Sequence, residues 1–202
     1  MHFHPVECST SGLIGYLLCD PDQAVAVAVD PPRRQTELIL ALLREHRFTL
    51  NMLLRTHVHP ADQDDCAELV RRCGAEALQA HPGAQVVFGS EVLRVLATPG
   101  HTPGCVSYLW RDRLFCGDVF ELGRRSTADE APDPALLYDS LTGQLFTLPN
   151  QTLVFPAHPM RGRRVSTLAE LKTRLAPLLG GSRDAFINTM MAARQRMPRL
   201  AD

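Results

Sequence analysis

Apolar runs of strand length, first paired across a turn and then alternating with helical segments, predict an α/β domain. A second observation says where its chemistry lies: short blocks bearing histidine or aspartate follow directly after several of the predicted strands. Leu13 to Cys19 and Ala24 to Val29 are apolar and rich in strand formers, and Asp20-Pro21-Asp22 between them is a turn signal, so they predict a hairpin. Asp30-Pro31-Pro32 stops the second strand. Thr36 to His46 carries Ile39, Leu42, Leu43 and His46 at helical spacing, and Leu50 to Arg55 is a buried-type strand that runs into His57. Asp62 to Cys73 reads as a helix closed by Gly74.

Short strands are expected around Ala77, at Val86 to Phe88 and at Val92 to Ala97, the last delivering Thr98-Pro99-Gly100-His101. Val106 to Trp110 and Leu114 to Cys116 pair across Arg111-Asp112-Arg113, and the second of them ends at Gly117-Asp118. Gly123 to Pro134 is a polar surface loop, after which Asp133 as N-cap and Pro134 at the first position begin a helix bearing Leu137, Leu141 and Leu145 on one face. Thr152 to Phe155 is a further strand, ending at Pro156-Ala157-His158. Thr167 with Glu170 makes a capping box, and Ser182 caps a last helix running through Met191.

With 202 residues, 45% of them apolar, the chain can bury one substantial core, and residues 1–202 are expected to form a single domain. A formal charge of −1 gives no reason to expect nucleic acid or a membrane as partner. No signal sequence or membrane span is read from the chain, so a cytoplasmic protein is expected, with a homodimer as the possible assembly. Six cysteines without a Cys-x-x-Cys pair read as free thiols rather than as a zinc site, and Cys105 as packing rather than a nucleophile. Of the basic clusters, Arg71-Arg72, Arg124-Arg125 and Arg161-Gly162-Arg163-Arg164 read as solvated surface, although Arg161 stands beside His158 and could hold an anionic substrate.

His57, His59, His101, Asp118 and His158 all fall at predicted strand-to-loop junctions, and imidazoles with one carboxylate form a common shell for zinc or iron. In extended backbone residues i and i+2 face the same way, so His57 and His59 can converge, while Gly100, Gly104 and Gly117 allow tight turns at His101 and Asp118. His2, His4, His46 and His81, taken singly, read as surface or hydrogen-bonded histidines. A two-metal hydrolase would continue the first block as His-x-His-x-Asp-His, but Pro60, Ala61 and Asp62 follow His59 here.

The ordered set resembles the metallo-β-lactamase superfamily, which implies a four-layer α/β/β/α sandwich with the metal at one end between the sheets. Within it, Thr98-Pro99-Gly100-His101-Thr102-Pro103-Gly104-Cys105-Val106, Phe115-Cys116-Gly117-Asp118, Leu137-Tyr138-Asp139-Ser140, Leu145-Phe146-Thr147-Leu148-Pro149 and Phe155-Pro156-Ala157-His158 are most similar to the persulfide dioxygenase (sulfur dioxygenase) family, with Glu7-Cys8-Ser9 and Val165-Ser166-Thr167 extending the match. That resemblance implies a mononuclear Fe(2+) held by His57 or His59, His101 and Asp118, and oxidation of a thiol persulfide such as glutathione persulfide with O2 to sulfite. It implies supporting catalytic parts for Asp118 and His158, and substrate contacts from Arg124, Arg125, Tyr138 and Arg161.

Ala61 cannot ligate, so a second metal is disfavoured and His158 is left without its usual companions. The family's Gly-Arg-Thr-Asp segment is replaced by Arg125-Ser126-Thr127-Ala128, where Arg124 or Arg125 and Asp129 would have to shift into place. Two alternatives stand beside the dioxygenase: a single-Zn(2+) hydrolase of the glyoxalase II or lactonase type, and a non-catalytic ligand-binding or sulfur-sensing protein.

Overall fold

A computed structural model describes residues 2–58, 66–122 and 132–195. Two sheets face one another. The first has the order β1(His2–Glu7), β2(Ile14–Asp20), β3(Val25–Val29), β4(Thr49–Leu54), β5(Glu76–Leu78); the second runs β11(Ser166–Thr167), β10(Leu153–Pro156), β9(Arg113–Gly117), β8(Val106–Trp110), β7(Glu91–Ala97), β6(Gln85–Phe88). The expected hairpins are present: β2 pairs antiparallel with β3 and β8 with β9. Where a helix intervenes the strands are parallel, as for β3 with β4 and β9 with β10.

The two-residue period of the strands sorts side chains between a central and an outer core. On β2, Ile14, Tyr16 and Leu18 face the second sheet and meet Phe88, Tyr108, Trp110, Phe115 and Phe155. The alternate residues Leu17 and Cys19 pack outward with Ile39, Leu40, Leu43 and Leu69 of α1(Thr36–His46) and α2(Ala67–Cys73). Beyond the second sheet, Leu114, Cys116 and Val154 meet Leu137, Leu141, Leu171, Leu175 and Phe186 of α3(Pro134–Gly143), α4(Leu168–Leu179) and α5(Arg183–Gln195). The layers are therefore helix, sheet, sheet, helix, the expected four-layer sandwich.

Local signals act as expected. Asp133 caps α3 by accepting from the Ala135 and Leu136 amides, and Thr167 and Glu170 form a reciprocal capping box on α4. Ser182 accepts from the Ala185 amide at the head of α5, and Gly74 closes α2 in the left-handed region. Two details differ. Leu145 belongs to a 3₁₀ turn after α3 rather than to that helix, though it is buried in the same core. β1 was not expected, because His2-Phe3-His4-Pro5 carries little strand signal; as an edge strand it tolerates Pro5 and keeps only Phe3 and Val6 against the cores. Of the helix expected over 62–73, residues 62–65 lie outside the described residues, as does most of the 123–134 loop. Among the described residues no helix is long and apolar enough to cross a membrane.

Candidate metal centre

The C-terminal ends of β4, β7, β9 and β10 meet at one edge of the sandwich, and each is followed by one of the singled-out residues: His57, His101, Asp118 and His158. Backbone bonds between the sheets hold that edge closed, with the Val106 amide donating to the Thr56 carbonyl at 2.8 Å and the Ile14 amide to the Ala157 carbonyl at 2.7 Å. The Tyr108 hydroxyl donates to the Arg55 carbonyl and the Tyr16 hydroxyl to that of Pro156, at 2.7 and 2.6 Å. The ends of β4 and β10, which present His57 and His158, are thus tied to the opposite sheet.

His57, His101 and Asp118 each bring one ligand atom within 4.8 Å of the other two. His57 Nε2 is 3.8 Å from Asp118 Oδ2, and the His57 and His101 rings meet edge to face with centroids 5.0 Å apart. Metal–nitrogen distances of about 2.0–2.1 Å put neighbouring ligand atoms about 3 Å apart, so small side-chain rotations would close the trio on an ion. Two turns make the approach possible. Gly117 has φ 57°, and a Cβ there would strike the Thr56 hydroxyl. Gly100 has φ 133°, and a Cβ would come within 2.6 Å of the Leu137 amide nitrogen.

Behind His57 runs a relay that the sequence did not disclose. Asp30, just past β3, accepts from the Thr56 amide at 2.8 Å and from its hydroxyl at 2.7 Å. The single hydroxyl proton is committed to that carboxylate, so at 2.9 Å the Thr56 oxygen must accept from His57 Nδ1–H. This fixes the tautomer that leaves Nε2 as a ligand atom on the side of Asp118. Burial pushes the Asp30 carboxyl up to about 6, against the lowering effect of the two Thr56 bonds. The only hint in sequence is a polar Asp-Pro-Pro after an apolar strand, a pattern that by itself signals no more than a strand stop.

Asp118 is buried, and burial alone would raise its pKa. The hydrogen bond from His158 and the charges of His158, His57 and His101 outweigh that and hold it below the ordinary carboxylate range. His158 Nδ1 lies 2.9 Å from both Asp118 oxygens, so His158 meets the carboxylate from outside the trio. The Cys105 thiol is pushed up by burial and held by the Thr102 amide at 3.1 Å, as expected for a packing residue.

His59, Arg124 and Arg125 lie outside the described residues. Tyr138 is on α3, its ring 5.5 Å from that of Phe186. Arg161 occupies the tight turn between Met160 and Arg163 and, with Phe120, Glu121, Leu122 and Arg174, lines a cavity of about 60 Å³ in the segments that follow Asp118 and His158.

No family profile matches the chain. Human mitochondrial persulfide dioxygenase ETHE1 is 33% identical over 204 aligned residues, which take in 93% of this chain and 78% of the human protein. A hydroxyacylglutathione hydrolase from Synechococcus is 32% identical over 166, taking in 71% of this chain and 63% of the hydrolase. The crystal structure of ETHE1 from Myxococcus xanthus superposes with a TM-score of 0.88 at 37% identity, covering 98% of this chain and 93% of that one. A metallo-β-lactamase structure from Staphylococcus aureus shares the fold at 20% identity, with a TM-score of 0.81 over 98% of this chain and 67% of that one. The likeness to the human protein runs through nearly all of the chain, and the chain therefore belongs to the persulfide dioxygenase family, enzymes built on the metallo-β-lactamase fold.

Proposed function

We propose that this enzyme is a mononuclear non-haem iron(II) sulfur dioxygenase that oxidises a low-molecular-weight thiol persulfide, glutathione persulfide or one similar to it. One persulfide, one O2 and one water give the thiol, sulfite and two protons. The observation that carries the reading is the compact trio of His57, His101 and Asp118, whose ligand atoms lie within 4.8 Å of one another. Two imidazoles and one carboxylate on one face are the donor set suited to ferrous iron, so the residues present fit it. When bound, ferrous iron supplies a redox-active centre with positions left open for a sulfur and for dioxygen.

The geometry supports the following parts for the protein's own residues. The Asp30–Thr56 relay holds His57 in the tautomer that exposes Nε2. Asp118, kept ionised, would supply the anionic ligand, and His158, bonded to it through Nδ1, would orient it. His101 and Asp118 are buried, which keeps bulk water from a reactive sulfur. Arg161 is proposed to meet an anionic group on the thiol carrier, as are Arg124 and Arg125; Tyr138 is proposed to line the pocket from α3. His59 is proposed as a companion to His57.

Similarity to a hydroxyacylglutathione hydrolase favours a second reading, a single-Zn(2+) hydrolase using a lowered-pKa water. Against it stands the extent of the likeness, which takes in 93% of this chain for the human persulfide dioxygenase and 71% for the hydrolase. The deciding experiment measures metal content after anaerobic purification and oxygen uptake with glutathione persulfide. Iron with one O2 consumed per persulfide is expected. Zinc alone, with hydrolysis of S-lactoylglutathione and no uptake on any persulfide, would replace the proposal with the hydrolase; no turnover of either kind would leave a binding protein.

A further inference from the structure

At the far end of the first sheet the structure brings together three histidines that are unrelated in sequence. His2 and His4 stand two residues apart on the edge strand β1, and His46 is the last residue of α1. Their ligand atoms lie within 4.8 Å of one another. The rings form a closed triangle, with centroids 4.7 Å apart for His2 and His4, 5.4 Å for His2 and His46, and 5.0 Å for His4 and His46. From these residues we infer a second metal site, which takes a borderline divalent cation of the zinc class and clips the edge strand β1 to α1.

The alternation of β1 makes the site. Phe3 turns in toward Phe155, at 5.2 Å, so His2 and His4 must turn out to the face that α1 covers. There the carboxyl end of α1 adds the negative pole of its dipole beside His46, which favours a cation. His4 Nε2 is shut off from solvent and meets no hydrogen-bond partner among the described residues, an imidazole nitrogen left with a lone pair or proton to place.

Three imidazoles without a carboxylate suit Zn(2+), Cu(2+) or Ni(2+) and not Mg(2+) or Ca(2+), which prefer oxygen. A tetrahedral ion with bonds of about 2.0–2.1 Å needs nitrogens about 3.4 Å apart, and the exposed side chains of His2 and His46 are free to rotate inward by that amount. His2 pairs with Cys19, Cys19 with Ala26 and Ala26 with Leu50, placing the triad at the start of β4 while His57 follows its end. From strand rise and spacing the two centres are roughly 27 Å apart, so they load independently.

The test uses the tag-free full chain, stripped of metal and titrated with Co(2+) and with Zn(2+). Wild type is expected to bind two equivalents, one giving the visible bands of tetrahedral Co(2+). His46→Gln and His2→Gln, both at exposed positions, should each lose one equivalent and those bands, while His81→Gln keeps both. Zn(2+) should also slow amide exchange along β1 in wild type but not in His46→Gln. Uptake of the same number of equivalents at the same affinity by wild type and His46→Gln would overturn the proposal.

Discussion

Thr56→Val tests whether His57 is oriented by its neighbour or merely lies near the metal. Thr56 is buried at 1% exposure, and valine has nearly its shape, so the change removes a hydroxyl without opening a cavity. Two bonds go with it, one of 2.7 Å to Asp30 Oδ2 and one of 2.9 Å from His57 Nδ1. Asp30 keeps the Thr56 amide but loses the second donor. A hydrogen bond to a charged group contributes about 1.5–3 kcal/mol, and loss of an outer partner of a metal-bound histidine typically costs about 10–100-fold in metal affinity. Metal-free Thr56→Val should therefore unfold at lower temperature. Its ferrous affinity, measured anaerobically by competition with a chromophoric chelator, should fall by one to two orders of magnitude. Thr56→Ser keeps the hydroxyl and should load like wild type. Ferrous affinity in Thr56→Val equal to that of wild type would refute the relay, whatever happened to stability.

Asp118→Ala removes the anionic ligand and should abolish iron loading, whereas His158→Ala should retain most of the metal with lowered activity; equal metal loss in the two would contradict the division drawn from His158 standing 2.9 Å behind the carboxylate. Gly117→Ala places a Cβ at φ 57° and within 2.9 Å of Thr56 Cβ. The left-handed backbone alone costs about 1–2 kcal/mol, and at about 2–4 °C per kcal/mol a thermal scan should show it together with weakened metal binding. Asp20 accepts from the Ser90 amide and hydroxyl at 2.7 and 2.8 Å, and these bonds hold its carboxyl below the ordinary value. Its contribution is thus present above about pH 4 and is lost as pH falls through the lower folded-state value, so acid unfolding of Asp20→Asn should show a shallower dependence in that range than wild type.

What the sequence disclosed, and what it did not, divides along the range of the physics involved. β2 and β3 were legible because Asp20-Pro21-Asp22 and the apolar runs beside it are local signals, and the trio because each ligand follows closely on an apolar strand, His101 and Asp118 directly after a glycine. The relay was not, since Asp30 and Thr56 meet only through the parallel register that sets Val29 beside Leu54, a contact no local pattern encodes. The same cause hid the second histidine group. His2 and His4 gave no helix or strand signal of their own, and His46 read as one more position on a helix face. Pairing of His2 with Cys19, and packing of α1 over the outer side of that sheet, are what turn three ordinary surface histidines into neighbours. A motif is readable when one stretch of backbone supplies its geometry; the first centre meets that condition ligand by ligand, and the second meets it only after the sheet has formed. Substitution of Phe3 should accordingly disturb the second centre and spare the first, because Phe3 is the inward anchor that fixes which way β1 faces. Loss of metal at both centres in Phe3→Ala would show instead that β1 holds the whole sheet in place.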